Sequence, residues 1–154
     1  MTVSFTRATK EFRRFMKMAR KEGEIQQIKL IRKTESLDTM DKVVGATDVT
    51  YYNGYKDTDS DGNEYLKQTD CYITQVSLKN FQMLKLGEAD IGNFVIYCEP
   101  TFSDVSYNVT TPKTEDVIVF KDPYTHEEIK GFITGIPYEH TSHVKLTVNR
   151  ELFN

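Results

Sequence analysis

The sequence predicts a mainly β protein, a small antiparallel β-barrel or sandwich of about seven strands with an N-terminal amphipathic helix. Three observations lead there. Apolar residues recur at helical spacing near the N-terminus, whereas most of the chain is a series of short runs rich in Val, Ile, Tyr, Phe and Thr, several alternating by two. Polar turn residues separate these runs, and no repeat, low-complexity tract or Pro/Ser-rich linker divides the chain. Finally, 154 residues with 38% apolar side chains suffice for one ordinary hydrophobic core and not for two. The expected organisation is a basic helix or arm over 1–23 and a single β domain over 24–154, with a long acidic loop near 53–70.

The helical pattern runs from Ser4 to about Lys21. Phe5, Phe12, Phe15, Met16 and Ala19 gather toward one side, and Arg7, Lys10, Arg13, Arg14, Lys17, Arg20 and Lys21 spread over the rest. Ser4 or Thr6 suits an N-cap and Gly23 a stop. Such a helix can pack its apolar face on its own domain, or dock on a protein partner, a membrane or nucleic acid. After Gly23 come the strand-like runs "IQQIKLIRK", "KVVGATDVTYY", "CYITQVSL", "NFVIYCE", "DVIVFK", "IKGFITGI" and "HVKLTVNREL". The last is the clearest, with Val144, Leu146 and Val148 on one face. A second, shorter helix is expected over 78–86, where Leu78, Phe81, Met83, Leu84 and Leu86 precede Gly87.

Charge is segregated. The net charge of −3 conceals about +7 in residues 1–33 and about −10 in the remainder. A basic arm is joined to an acidic body. The N-terminus lacks a signal-peptide apolar stretch and nothing approaches a membrane span, so the expectation is a protein that is cytoplasmic where it is made. Cys71 and Cys98 then read as free, buried thiols. The acceptor pattern Asn108-Val109-Thr110 has no meaning without secretion.

Enzyme motifs are missing: no nucleophile elbow, phosphate loop, dinucleotide fingerprint, Cys-x-x-Cys or His-Glu-x-x-His. His140 and His143 lie three apart in a turn, without a cysteine near them, and read as polar loop residues. His126, beside Glu127 and Glu128, reads as a hairpin tip. The stretch "DTDSDGNEY" is more suggestive. Asp57, Asp59 and Asp61 stand at positions 1, 3 and 5 of a calcium-loop pattern, with Gly62 at 6, but Gln68 holds position 12, where a bidentate glutamate belongs. These three aspartates are a weak metal candidate, and an acidic hairpin turned at Asp61-Gly62 is the competing reading. No cofactor is expected.

From Ile28 to Leu152 the order of β runs resembles the head-tail adaptor (head-closure, or connector) proteins of tailed bacteriophages. The likeness is greatest in "TEDVIVF", a turn, "IKGFITGI" and "VKLTVN", where the family has a D-x-I strand, an I-x-G-I element and a closing strand. The resemblance implies a non-enzymatic virion protein of the neck, assembled in the host cytoplasm. It would form a homo-oligomeric ring between a portal or adjacent connector protein and a tail protein, with DNA passing through and no membrane involved. Within that reading Asp57, Asp59, Asp61 and Glu64 line the channel or meet a neighbour. Acidic walls suit a channel that must not hold phosphates, since each phosphate neutralised by Lys or Arg adds affinity. Arg7, Lys10, Arg13, Arg14, Lys17 and Arg20 would dock the helix on a partner. Alternatives are a tail-completion or terminator ring, a calcium-dependent binding module using the Asp57 loop, and a small nucleic-acid binder, for which the acidic body has the wrong sign.

Overall fold

The computed structural model describes residues 7–21, 25–75, 93–140 and 142–150. The expected helix over 78–86, Phe5, and the expected cap and stop at Ser4, Thr6 and Gly23 lie outside them. Helix α1 (Arg7–Lys21) comes first, followed by β1 (Ile25–Gln26), β2 (Lys29–Leu37) and the long β3 (Val43–Thr58). Next are β4 (Glu64–Gln68), β5 (Cys71–Gln75), β6 (Phe94–Cys98), β7 (Phe102–Ser103) and β8 (Val109–Thr110). The chain then runs through β9 (Val117–Lys121), β10 (Glu128–Glu139) and β11 (Val144–Arg150). Among the described residues no helix is long and apolar enough to cross a membrane.

Among the described residues the protein is mainly β with one N-terminal helix, and the expected barrel or sandwich of about seven strands is replaced by one antiparallel sheet of eleven, not closed into a barrel. Its order is β1-β5-β6-β11-β10-β9-β2-β3-β7-β8, with β4 on β3. The physical reason lies in "IQQIKLIRK", which breaks at Gln27-Ile28. Its first part pairs with β5 and its second with β9, so the sheet curls back on itself while the backbone ladder is interrupted between them. A side chain spans the seam: the Gln26 amide donates to the Lys121 carbonyl at 2.7 Å and accepts from the Lys121 N–H at 2.8 Å. The other difference is the long acidic loop expected near 53–70. Strand β3 continues to Thr58 and pairs with β4, leaving only 59–63 as a turn.

Alternation places the core on one face of the sheet. Leu30, Ile118, Phe120, Ile129 and Ile133 are buried with Val144, Leu146 and Val148, the face predicted for the last strand. At the crossing of β3 with the segment after β6, Asn53 is fully buried and satisfied. Its amide donates to the carbonyls of Glu99 and Thr101 and accepts from the Thr69 hydroxyl and the Cys71 thiol. Next to it, Gly54 lets the backbones meet, since a Cβ there would collide with the Lys67 carbonyl oxygen.

Candidate interaction surface

Helix α1 lies across its own domain. Thr9, Met16 and Ala19 are buried and Phe12 is half-buried, its ring stacked on His143 at 4.6 Å and 3°. Arg13 also turns inward: its guanidinium donates to both carboxylate oxygens of Glu99, the shortest bond being 2.7 Å, and sits 5.1 Å over the Tyr55 ring. Burial pulls the Arg13 pKa down, and the hydrogen bonds and charge of Glu99 outweigh it, leaving the group above its ordinary value. Of the predicted docking cations, Arg7, Lys10, Arg14 and Lys17 are exposed; the side chain of Arg20 lies outside what is described. Phe15, expected on the inner face, is half out at 51% exposure, in an edge-to-face contact with Tyr72 at 6.0 Å.

The "DTDSDGNEY" stretch is a hairpin tip. Asp59 opens the turn, its Oδ1 accepting from the N–H groups of Asp61 at 2.9 Å and Asn63 at 2.8 Å, and Gly62 takes a φ of 85°. This is the tight loop in which a type I turn is followed by a left-handed residue. Asp57 instead faces Tyr65 and Lys67, and Glu64 faces Lys56 at 3.6 Å. The weak metal candidates therefore diverge, and among the described residues no three His, Cys, Asp or Glu side chains gather to hold a metal.

A surface that the sequence did not single out is the hairpin of β2 and β3. Strand β9 pairs with β2 only as far as Ile31, while β7 meets β3 at Tyr52 and Asn53. Residues 32–37 and 43–49 therefore pair with each other as a two-stranded ribbon. Its tip exposes two apolar side chains, Leu37 at 55% and Met40 at 74%, among Asp38, Asp41 and Lys42. Its base is fixed by Arg32, which donates to both oxygens of the buried Asp116, at 3.0 and 2.7 Å, and to the Thr110 hydroxyl. The hydrogen bonds to Asp116, against a burial penalty, hold the Arg32 pKa above its ordinary value. The signal was available in "SLDTMDK", whose Leu and Met flank turn aspartates.

The remaining candidates are local structure. Ser142 is 3% exposed, with its hydroxyl 3.0 Å from His140 Nδ1 and 2.8 Å from His143 Nδ1. These contacts close the turn between β10 and β11 and keep the hydroxyl covered. His126 sits exposed at a φ of 62° in the β9–β10 connection. Cys71 and Cys98 are free and buried, one residue beyond the paired Tyr72 and Tyr97. Burial and then the Cys98 thiol push the Cys71 pKa well up, so it stays protonated. A cleft of about 290 Å³ beside Tyr55, Lys56 and Thr101 is lined also by the Arg13–Glu99 pair. Comparison of the chain with protein-family models, with curated proteins and with solved structures finds no match.

Proposed function

We propose that this chain is a non-enzymatic structural subunit, an adaptor or head-closure protein that assembles as a homo-oligomeric ring in the neck of a tailed-bacteriophage virion. The single observation that carries the proposal is the pair of hairpins that extend beyond the core, one with Leu37 and Met40 exposed at its tip and one acidic. An isolated two-stranded ribbon is marginal in water, and exposed apolar residues at its tip are a liability for a chain that acts alone. Both features make sense if neighbouring subunits or rings cover them. The acidic body supports the same reading, because a wall with an excess of carboxylates repels the phosphates of a duplex passing through. Portal and tail proteins are the partners above and below in this proposal.

The test is the mass of the purified chain, alone and after mixing with portal-bearing particles that lack a neck. The expected result is a closed ring on the particles. A chain that remains monomeric and ignores the particles overturns the proposal.

A further inference from the structure

We infer that the outward face of α1 is a docking surface for a second copy of this chain, and that the element seated on it is that copy's β3–β4 hairpin. The inference rests on the ring proposal and names the surfaces through which copies join. Arg7, Lys10, Arg14 and Lys17 follow one another at intervals of three and four residues, a single stripe along the exposed side of the helix. Only Arg7 in this stripe has an ion pair among the described residues, with the exposed Glu11 at 3.2 Å. Beside the stripe stand Phe15 and Met18, 51% and 65% exposed. Apolar side chains rimmed by unmatched cations are the composition of a protein-binding surface.

The same chain carries the complement. Asp57, Asp59, Asp61 and Glu64 lie on one hairpin, with Tyr65, 40% exposed, directly across from Asp57. Two weak ion pairs, Glu64 with Lys56 and Asp57 with Lys67, leave Asp59 and Asp61 without a cation among the described residues. The hairpin, with two carboxylates in excess of Lys56 and Lys67 and an aromatic ring, thus complements Lys10, Arg14 and Lys17, three cations unmatched among the described residues, and two apolar side chains. Within one molecule, Arg13 meets this hairpin near its base, at Tyr55, and no ion pair among the described residues joins the exposed cations of α1 to its carboxylates. A contact between two different patches of identical chains is heterologous, the kind that closes into a ring when the rotation permits. Opposite charge sets the register, and Tyr65 against Phe15 and Met18 supplies the apolar part.

Charge reversal with mixing tests this. One variant carries Lys10→Glu, Arg14→Glu and Lys17→Glu; the other carries Asp61→Lys and Glu64→Lys. All five positions are exposed, and circular dichroism checks that each variant folds. Self-association is read by sedimentation at low salt and by ring formation on neck-less particles. Each variant alone is expected to associate about tenfold or more weakly than the unaltered chain. An equimolar mixture is expected to recover association, since every junction is again complementary. Variants that assemble like the unaltered chain, or a mixture that does not recover, overturn the inference and leave the ring proposal standing. The same holds if the helix variant loses only affinity for duplex DNA. An unaltered chain that stays monomeric in both settings overturns both.

Discussion

At the scale of single residues, the aspartates of this chain are mainly turn builders. Asp38, Asp59 and Asp104 each accept through Oδ1 from the N–H groups two and four residues on. In each turn the fourth residue is left-handed, with φ of 59° at Asp41, 85° at Gly62 and 66° at Tyr107. The N–H groups of Asn108, backbone and side chain, and then of Ser106 hold the Asp104 carboxyl below its ordinary range. The alternating charge in "DTDSDG" is thus explained by one turn aspartate, one cross-strand pair and one exposed side chain. Because only glycine takes the left-handed region without penalty, Gly62→Ala is expected to cost about 1 kcal/mol. Asp41→Gly, at the equivalent and exposed position, is expected to be neutral or to stabilise by up to about 0.5 kcal/mol. Urea unfolding midpoints of the two variants check the opposite signs.

At the scale of elements, the seat of α1 is sensitive to pH through His143, the ring on which Phe12 stacks. Burial, and then the proximity of His140, lower the His143 pKa from its ordinary 6.5. Below that value the unfolded chain takes up a proton that the folded chain resists. Stability is therefore full above about pH 6.5, falls as the pH drops through that value, and levels off below the depressed folded one. Urea unfolding at a series of pH values should show this fall, and His143→Gln should flatten it. The helix itself was legible: Phe12, Met16 and Ala19 face inward as their spacing predicts. What the spacing does not reveal is that Arg13 turns in and Phe15 partly out. That rotation depends on Glu99, 86 positions away, whose carboxylate pairs with the guanidinium in a half-buried setting.

For the whole molecule, the core is separate from the surfaces proposed to join copies. Among the described residues, none of the clustered core side chains lies on the ribbon between positions 32 and 49. Replacing 34–47 with an Asn-Gly turn, which joins the paired Lys33 and Asp48, should therefore change unfolding free energy by less than about 1 kcal/mol. A large loss in urea unfolding would mean that the ribbon belongs to the folding unit after all.

The sequence alone determined the β character, the N-terminal helix, the inward face of the last strand and the turn at Asp61-Gly62. Each of these is set by side-chain periodicity or by backbone chemistry within a few residues. Tertiary structure decided the order of strands in the sheet, the break at Gln27-Ile28 and the extension of β3 through both hairpins. It also decided the meeting of Arg13 with Glu99 and of Arg32 with Asp116. These depend on which distant segments pair and in which register, and a local pattern of apolar and polar residues is compatible with several such pairings.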